Sequence, residues 1–421
     1  MMLQQRAKIW LITCLGLGMF SSLVNAAQEL PAHLYTRGVE QATVMLVDKA
    51  TQQAQLVEMK DDQPVNIQRY TDLLFGENAG AKSAAGDKRT PEGVYQVTRF
   101  LPGDELDARY GSGAFPLNYP NPIDQIEGRA GSGIWLHGRD DDDLSKVVTR
   151  GCVAFTNPDI QALESKLPDA TPVILAPNVQ YVTAEVYAAE RKRLLAVLDN
   201  YLEAWEAGDF QTIEGLLHPE FTAADKNRQT WLERKQWIHN AVPRRAINAQ
   251  AVQVLRGSDD QVMYQYTQSY CADNIYTRGT KQLYFKQQGD QLKLLTERFS
   301  PLPTLPVDRN RVGAFLSAWL KSWNENDVTG YIRHYDVDFK DSKRRDLAAY
   351  KKYKVGIFQQ RPNQNIDIEN VNVTPLRGNK YRIDFIQTYT SKVYRDKGKK
   401  SLVVNACMDD MVIEKETWTA L

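Results

Sequence analysis

Residues 133–157, GIWLHGRDDDDLSKVVTRGCVAFTN, place a histidine at the end of an apolar run and a cysteine fifteen residues after it. Between positions 34 and 200 the chain has one histidine, His137, and one cysteine, Cys152. A cysteine attacks as the thiolate, so it needs a base and a positive surrounding. The stretch therefore predicts that, if this region performs cysteine chemistry, Cys152 is the nucleophile and His137 the base.

The residues next to this pair fit the same chemistry. Arg150 supplies a positive charge, and Gly151 lets the backbone approach so that the amides of Gly151 and Cys152 face a developing oxyanion. Gly138 is expected to release the histidine at the end of its strand and, with Thr149, Arg150 and Gly151, to belong to the oxyanion or substrate-binding part of the site. Because a spacing of fifteen residues is not specific, the alternative is that Cys152 is a small buried apolar residue and His137 a core histidine.

The start of the chain predicts export. Arg6 and Lys8 precede an apolar core at residues 9–20, and small residues at 24–26 form a cleavage pattern. We expect residues 1–26 to be a signal peptide and the mature protein to be periplasmic; an uncleaved N-terminal anchor is the alternative. The apolar core is short for a bilayer, and no later segment has the apolar length of an integral membrane span.

Export leaves an odd number of cysteines in an oxidising compartment: Cys152, Cys271 and Cys407. At least one thiol is then unpaired, and Cys152 is the candidate. Whether Cys271 and Cys407 pair is left open by the sequence, and two buried free thiols are expected for them.

Composition narrows the classes of partner and cofactor. Lys plus Arg and Asp plus Glu number 52 each, so no net field favours nucleic acid. The glycine-rich segments lack the lysine and the strand-to-helix context of a phosphate-binding loop. Cys152 has no second cysteine or histidine at metal-ligand spacing, so we expect no metal and no cofactor.

The chain divides into three parts after the signal peptide. Residues 27–181 show short β-like runs separated by turns, and helical spacing begins near 182. The sequence pattern of residues 182–302 is repeated in residues 303–421. Trp205 matches Trp323 at an offset of 118, and Gly279 matches Gly398 at an offset of 119. A proline-rich linker at 300–308 joins these two copies.

Each copy has a helix, a short loop, an aspartate and then strands, a layout that resembles NTF2-like (SnoaL-like) α+β cone domains. Their aromatic residues lie at core spacing, and no metal cluster or acid/base pair common to both copies is evident. His218 and His334 are 116 residues apart and so are not equivalent. The copies are predicted to bind or position a ligand, or to mediate a homodimer or a contact with a cell-wall protein, and not to perform chemistry.

Three ordered motifs in residues 42–177 resemble the YkuD family of L,D-transpeptidases: GDKRTPEGVYQV at 86–97, IWLHG at 134–138 and TRGCVAFTN at 149–157. The resemblance implies a mainly-β catalytic domain followed by two α+β NTF2-like cone domains. It implies Cys152 as nucleophile and His137 as base, with Thr149, Gly151 and Cys152 shaping the oxyanion site. The residues that match the upstream motif are interpreted as scaffold: Gly86, Asp87, Arg89, Thr90, Pro91 and Gly93.

The chain departs from the family pattern at two positions: Arg150 stands where many members have histidine, and Ala154 where they have arginine. Members with this arginine and an NTF2-like domain include peptidoglycan L,D-carboxypeptidases, which trim tetrapeptide stems to tripeptides. The implied substrate is a peptidoglycan stem peptide containing diaminopimelate, and the thioester is resolved by water, by a second stem peptide or by a free amino acid.

Two alternatives stay open at this stage. The protein could be a non-catalytic cell-wall-binding or scaffold protein that only recognises muropeptides. The acidic run at 140–143 is either a solvated loop or a group that meets the ammonium of diaminopimelate, opposite Arg150.

Overall fold

The computed structural model describes residues 29–139, 148–242, 244–258, 260–272, 275–303, 308–361, 363–407 and 411–421. The predicted signal peptide at 1–26 and the acidic run at 140–143 lie outside these residues.

The first third of the chain is mainly β-structure, as the sequence predicts. Its strands are β1 (Glu29–Pro31), β2 (Leu34–Arg37), β3 (Gln41–Asp48), β4 (Gln53–Lys60), β5 (Gln63–Tyr70), β6 (Gly93–Gln96), β7 (Leu101–Pro102), β8 (Gly113–Pro116), β9 (Trp135–Arg139), β10 (Val153–Thr156), β11 (Pro172–Ala176) and β12 (Tyr181–Thr183). Its helices are α1 (Pro122–Ile126) and α2 (Asn157–Leu163), with two short 3-10 turns at Gly103–Glu105 and Ala108–Tyr110.

Two sheets enclose the core of this domain. One has the order β5-β4-β3-β11-β6 and the other the order β10-β9-β8-β7. Apolar side chains from both, including Met45, Tyr95, Phe115 and Phe155, form one buried cluster. In the second sheet, His137 lies on β9, and β10 begins directly after Cys152.

The rest of the chain forms two α+β units. Copy 1 consists of α3 (Ala184–Ala207), α4 (Phe210–Leu216), β13 (Thr222–Ala223), β14 (Lys226–Asn227), α5 (Arg228–Ala241), β15 (Ala246–Ser258), β16 (Gln261–Ala272), β17 (Ile275–Gln288) and β18 (Gln291–Pro301). Copy 2 consists of α6 (Arg309–Asn324), α7 (Val328–Arg333), α8 (Leu347–Gln360), β19 (Asn365–Leu376), β20 (Lys380–Thr390), β21 (Arg395–Asn405) and β22 (Val412–Ala420).

The matched residues of the two copies have matched structural roles. Asp209 caps α4 by accepting from the Thr212 N–H, and Asp327 caps α7 by accepting from the Gly330 N–H. The matched positions 279 and 398 require glycine because an aromatic ring covers each. A Cβ at Gly279 would lie 2.5 Å from the Phe299 ring, and one at Gly398 would lie 2.7 Å from the Trp418 ring. The internal repeat and the fold class predicted from sequence are confirmed.

Copy 1 is joined to the first domain through a shared sheet and a shared core. Strand β2 pairs antiparallel with β15, with Leu34 opposite Leu255 and Arg37 opposite Val252. Leu46 and Val94 of the first domain pack in one buried cluster with Met263 and other residues of the copy 1 sheet. Strand β2 lies in the range 27–181, yet it completes the sheet of copy 1.

Cys271 and Cys407 form a disulfide that joins copy 1 to copy 2, with Cα atoms 5.4 Å apart. The expectation of two buried free thiols was wrong. Sequence could not show this, because 136 residues separate the two cysteines and only the packing of the two copies brings them together. Cys152 is a free thiol, as expected.

Within the described part of the chain, no helix has both the length and the apolar character required to cross a bilayer.

Candidate active site

Parallel pairing of β9 and β10 puts His137 and Cys152 on adjacent segments of the chain. Leu136 lies opposite Val153 and His137 opposite Ala154. Cys152 directly precedes β10, so its backbone lies at the level of Trp135, two residues before the histidine, and adjacent strands are about 4.8 Å apart. The Cys152 thiol donates to the Gly133 carbonyl at 3.3 Å.

The backbone around the thiol is held by Thr149. Its hydroxyl donates to the Cys152 carbonyl at 2.7 Å and accepts from the Gly151 N–H at 3.1 Å. The Thr149 N–H in turn donates to the Phe75 carbonyl at 2.7 Å, which ties this loop to the segment that follows β5. Because the Gly151 N–H is already bonded to Thr149, the Cys152 N–H is the better candidate for an oxyanion donor.

Position 151 requires glycine because of its backbone conformation and because of a close contact. Its φ is +127°, and a Cβ there would lie 2.8 Å from the carbonyl oxygen of Arg89. Both constraints exclude other residues without a shift of the loop.

His137 is buried, and its Nδ1 atom lies 2.6 Å from the Gly138 carbonyl oxygen. A carbonyl only accepts, so Nδ1 carries the proton and Nε2 keeps its lone pair. In this tautomer Nε2 is the nitrogen that can accept a proton. The expectation that Gly138 releases the histidine from its strand was wrong, because β9 continues through Gly138 to Arg139. Gly138 is close-packed, since a Cβ there would lie 2.4 Å from Oδ1 of Asn157.

Burial keeps both members of the pair neutral. It raises the pKa of the Cys152 thiol above 9.0, an effect that the Trp135 backbone and the charge of Lys82 partly offset. It lowers the pKa of His137 below 6.5, against the opposing hydrogen bond to Gly138. At neutral pH the resting site therefore holds a thiol and a neutral imidazole, and a proton must move when the thiol attacks.

The positive charge that acts on the thiol comes from a residue that the sequence pattern did not single out. Arg150 is exposed, whereas Lys82 is buried and forms an ion pair with Asp87 at 2.6 Å. The only sequence signal for Lys82 is its position four residues before the upstream family motif. The residues around it do not distinguish it from a surface lysine.

Tyr110 is a second residue that sequence did not identify. Its ring packs edge-on against His137 at 5.2 Å between centroids and lies 4.6 Å from the ring of Trp135. Asn157 fixes the adjacent turn, since its Oδ1 accepts from the Ser112 N–H at 2.8 Å. Tyr110 thus limits the positions that the imidazole can take.

Both NTF2-like copies contain a buried cluster of two lysines and one glutamate, which corrects the expectation that they share no acid/base pair. In copy 1, Glu297 accepts from Lys281 at 2.5 Å and lies 3.6 Å from Lys235. In copy 2, Glu416 lies 3.2 Å from Lys400, and Lys354 lies nearby in the same core. All three positions repeat at an offset of 119, so a comparison of charged residues between the copies was the signal that could have found them.

The lysines and the glutamate in each cluster shift one another's pKa values. Burial raises the pKa of Glu416, but Lys400, Lys354 and two tyrosine hydroxyls reverse this and bring it to about 2. Burial lowers the pKa of Lys354 to about 7, against the attraction of Glu416. In copy 1, burial lowers the pKa of Lys235 to about 8.

The surroundings of the two clusters differ. Copy 2 has Tyr331 and Tyr335 where copy 1 has Ile213 and Leu217, and the Tyr335 hydroxyl donates to Glu416 at 2.8 Å. The tyrosines of copy 2 are fully buried around the glutamate.

In copy 1 the corresponding cluster borders a cavity of about 750 Å³. This cavity lies between the copy 1 sheet and helix α1 of the first domain. Its lining includes Lys281, Glu297, Trp231 and Phe299 from copy 1, and Pro122 and Gln125 from α1.

Among the described residues, no three or more histidine, cysteine, aspartate or glutamate side chains are grouped to hold a metal ion.

Family comparisons cover both parts of the chain. Residues 42–175 match the L,D-transpeptidase catalytic domain named YkuD. Residues 193–298 and 311–417 each match the Cds6 C-terminal NTF2-like domain, and together these two matches cover half of the chain.

Individual relatives match between about half and two thirds of the chain. YafK of Escherichia coli K12, which its name assigns provisionally to the L,D-transpeptidases, is 26% identical over 208 residues, covering 47% of this chain and 75% of YafK. The structure of Bd1075 from Bdellovibrio bacteriovorus is 26% identical with a TM-score of 0.60, covering 66% of this chain and all of that one. The helical cell shape determining protein Pgp2 of Campylobacter jejuni has the same fold at 23% identity, with a TM-score of 0.52 over 65% of this chain and 95% of its own.

Proposed function

This chain belongs to the YkuD family of L,D-transpeptidases and carries two Cds6-type NTF2-like domains, and we propose that it is a periplasmic cysteine acyltransferase of peptidoglycan stem peptides. The observation that carries the proposal is the pairing of β9 with β10, which puts a free thiol and an imidazole with an available Nε2 on neighbouring strands. The peptidoglycan substrate is inferred from the family.

The first step forms a thioester. His137 Nε2 accepts the proton of the Cys152 thiol as Sγ attacks the carbonyl carbon of diaminopimelate. The tetrahedral intermediate collapses, the bond to the nitrogen of the terminal D-alanine breaks, and the imidazolium returns its proton to that nitrogen. D-Alanine leaves, and diaminopimelate is bound to sulfur.

The second step resolves the thioester. His137 deprotonates water, which yields a tripeptide stem, or the amine of a second stem, which yields a cross-link between two diaminopimelate residues. We favour water, and so an L,D-carboxypeptidase, because this chain has Arg150 and Ala154 at the two positions where many transpeptidases have histidine and arginine.

Copy 1 is proposed to hold part of the glycan-linked substrate in its cavity. The cavity lies against the catalytic domain and combines aromatic with charged and amide side chains, which suits a polar peptide. Replacement of Lys226 at its edge by Glu should then reduce turnover of intact sacculi more than turnover of a soluble muropeptide.

The main experiment uses purified disaccharide tetrapeptide and mass analysis of the products. The protein should release D-alanine and leave tripeptide, and Cys152→Ala should abolish the release. Undiminished release by Cys152→Ala would end the proposal, and dimers with a diaminopimelate–diaminopimelate bond would replace hydrolysis by transpeptidation. Binding without turnover by the unmodified protein would favour a non-catalytic wall-binding protein.

A further inference from the structure

The loop of residues 82–90 carries a buried ammonium group. Lys82 is 4% exposed, and its Nζ donates to Asp87 at 2.6 Å and to the Ala84 carbonyl at 3.0 Å. Asp87 also accepts the backbone N–H groups of Ser83, Ala84 and Arg89 at 2.8 to 3.0 Å.

These contacts provide more hydrogen-bond partners for the Asp87 carboxylate than for the Lys82 ammonium. Although burial acts to raise it, the pKa of Asp87 is held well below its usual value by Lys82 and the backbone amides. An ammonium has three N–H donors, and the described part of the chain provides partners for two of those on Lys82. The Tyr119 ring centroid also lies 6.0 Å from Nζ. The third N–H therefore has no oxygen partner among the described residues and can donate to an acceptor that enters the site.

The same loop contacts both segments next to the thiol, the one at residues 131–133 and the one that contains Gly151 and Cys152. A Cβ at Gly131 would lie 3.3 Å from Cε of Lys82, and two residues later the Gly133 carbonyl accepts from the Cys152 thiol at 3.3 Å. On the other side, Gly151 packs on the Arg89 carbonyl. The charge of Lys82 also favours the thiolate of Cys152.

We propose that Lys82 is a specificity residue that binds the carboxylate of the departing D-alanine through its third N–H. In a tetrapeptide stem this carboxylate is one residue beyond the carbonyl carbon that Cys152 attacks, so a cation next to the thiol lies on its path. A charge-assisted hydrogen bond to a carboxylate is stronger than one to a neutral amide. Asp87 holds the lysine in place and does not itself touch the substrate.

The inference rests on the proposed function, and its test compares two substrates. Disaccharide tetrapeptide with a free terminal carboxylate is compared with the same compound ending in D-alaninamide, and kcat/KM is measured for release of the terminal residue. The unmodified protein should prefer the free acid. Lys82→Met should lower kcat/KM for the acid about 100-fold and remove the preference, and Lys82→Arg should restore part of it.

A neighbouring lysine provides the matched control. Lys88 lies in the same loop, is exposed and pairs with Glu77, so Lys88→Met should keep both rates. If Lys82→Met fails to fold because Asp87 is left unpaired, the double variant Lys82→Met/Asp87→Asn removes both charges and should show the same loss of preference.

The outcomes separate the two proposals. A Lys82→Met protein that still prefers the acid, or that loses equal activity on both substrates, would overturn the role of Lys82 while leaving the acyltransferase in place. An unmodified protein no more active than Cys152→Ala on either substrate would overturn both.

Discussion

The Nδ1 atom of His137 donates to the carbonyl oxygen of the next residue, Gly138, at 2.6 Å. This short bond within the strand fixes the tautomer of the imidazole. The ring is oriented by this backbone bond and by the edge-on contact with Tyr110, and burial lowers its pKa.

The pH dependence of activity should follow from that burial. Only neutral His137 can accept the thiol proton, and its pKa is lowered below 6.5, so kcat/KM should fall only as the pH is lowered through a value under 6.5. The check is D-alanine release between pH 4.5 and 8. An acid limb centred above pH 7 would contradict this assignment.

The thiol should alkylate slowly at neutral pH. Burial raises the pKa of Cys152 above 9.0, so the rate of reaction with iodoacetamide should rise through the alkaline range instead of reaching its plateau below pH 7. Lys82→Met should move this profile to higher pH, because the charge that favours the thiolate is lost. A plateau below pH 7 in the unmodified protein would show that the resting pair is ionised.

Gly151→Ala should disable the site with little change in overall stability. The new Cβ meets the Arg89 carbonyl and the loop must move by a fraction of an ångström or more, which we expect to lower kcat roughly 100-fold. Gly128→Ala is the control, since Gly128 also has a positive φ but has no atom within 4 Å of a new Cβ. Equal activity of the two variants would argue against a tight fit at Gly151.

Lys354→Met should change how stability depends on pH. The pKa of Lys354 is lowered from 10.5 unfolded to about 7 folded, so between these values the unfolded chain binds more protons and the free energy of unfolding of the unmodified protein rises with pH. The variant should lack this rise, and at pH 6 it should be at least as stable as the unmodified protein. Thermal unfolding from pH 6 to 10 measures the difference, with exposed Lys352→Met as control.

Loss of the disulfide should destabilise the pair of NTF2-like copies. Cys271→Ala/Cys407→Ala removes a link that closes a loop of 136 residues, and loss of such a link costs about 2–5 kcal/mol. Denaturant unfolding of the double variant should give an earlier midpoint, while the unmodified protein should show the same shift only under reducing conditions. An unchanged midpoint would mean that non-covalent packing alone holds the copies together.

The sequence predicted the parts of the fold that depend on local pattern. Trp205 and Trp323 indicated the repeated helices because burial imposes a period of about 3.6 residues. The choice of His137 and Cys152 as base and nucleophile rests on the rarity of these residue types in the domain, and it stays a prediction. Lys82 and the Cys271–Cys407 disulfide were missed, since each acquires its role only from residues that the fold brings near. The lysine–glutamate clusters were missed for a different reason: a charged residue in a helix or strand pattern is expected to be exposed, and in the sequence only comparison of the two copies indicates otherwise.

Strand β2 makes the two copies differ in how they are attached. Residues 34–37 pair with β15, more than 200 residues later, so copy 1 could not be removed without exposing the apolar face that it covers. Among the described strands, the sheet of copy 2 consists of β19 to β22, and copy 2 is held to copy 1 by the Cys271–Cys407 disulfide and by ion pairs from Arg244 to Asp336 and Asp338. In modular terms, the first domain and copy 1 form one structural unit, to which copy 2 is appended.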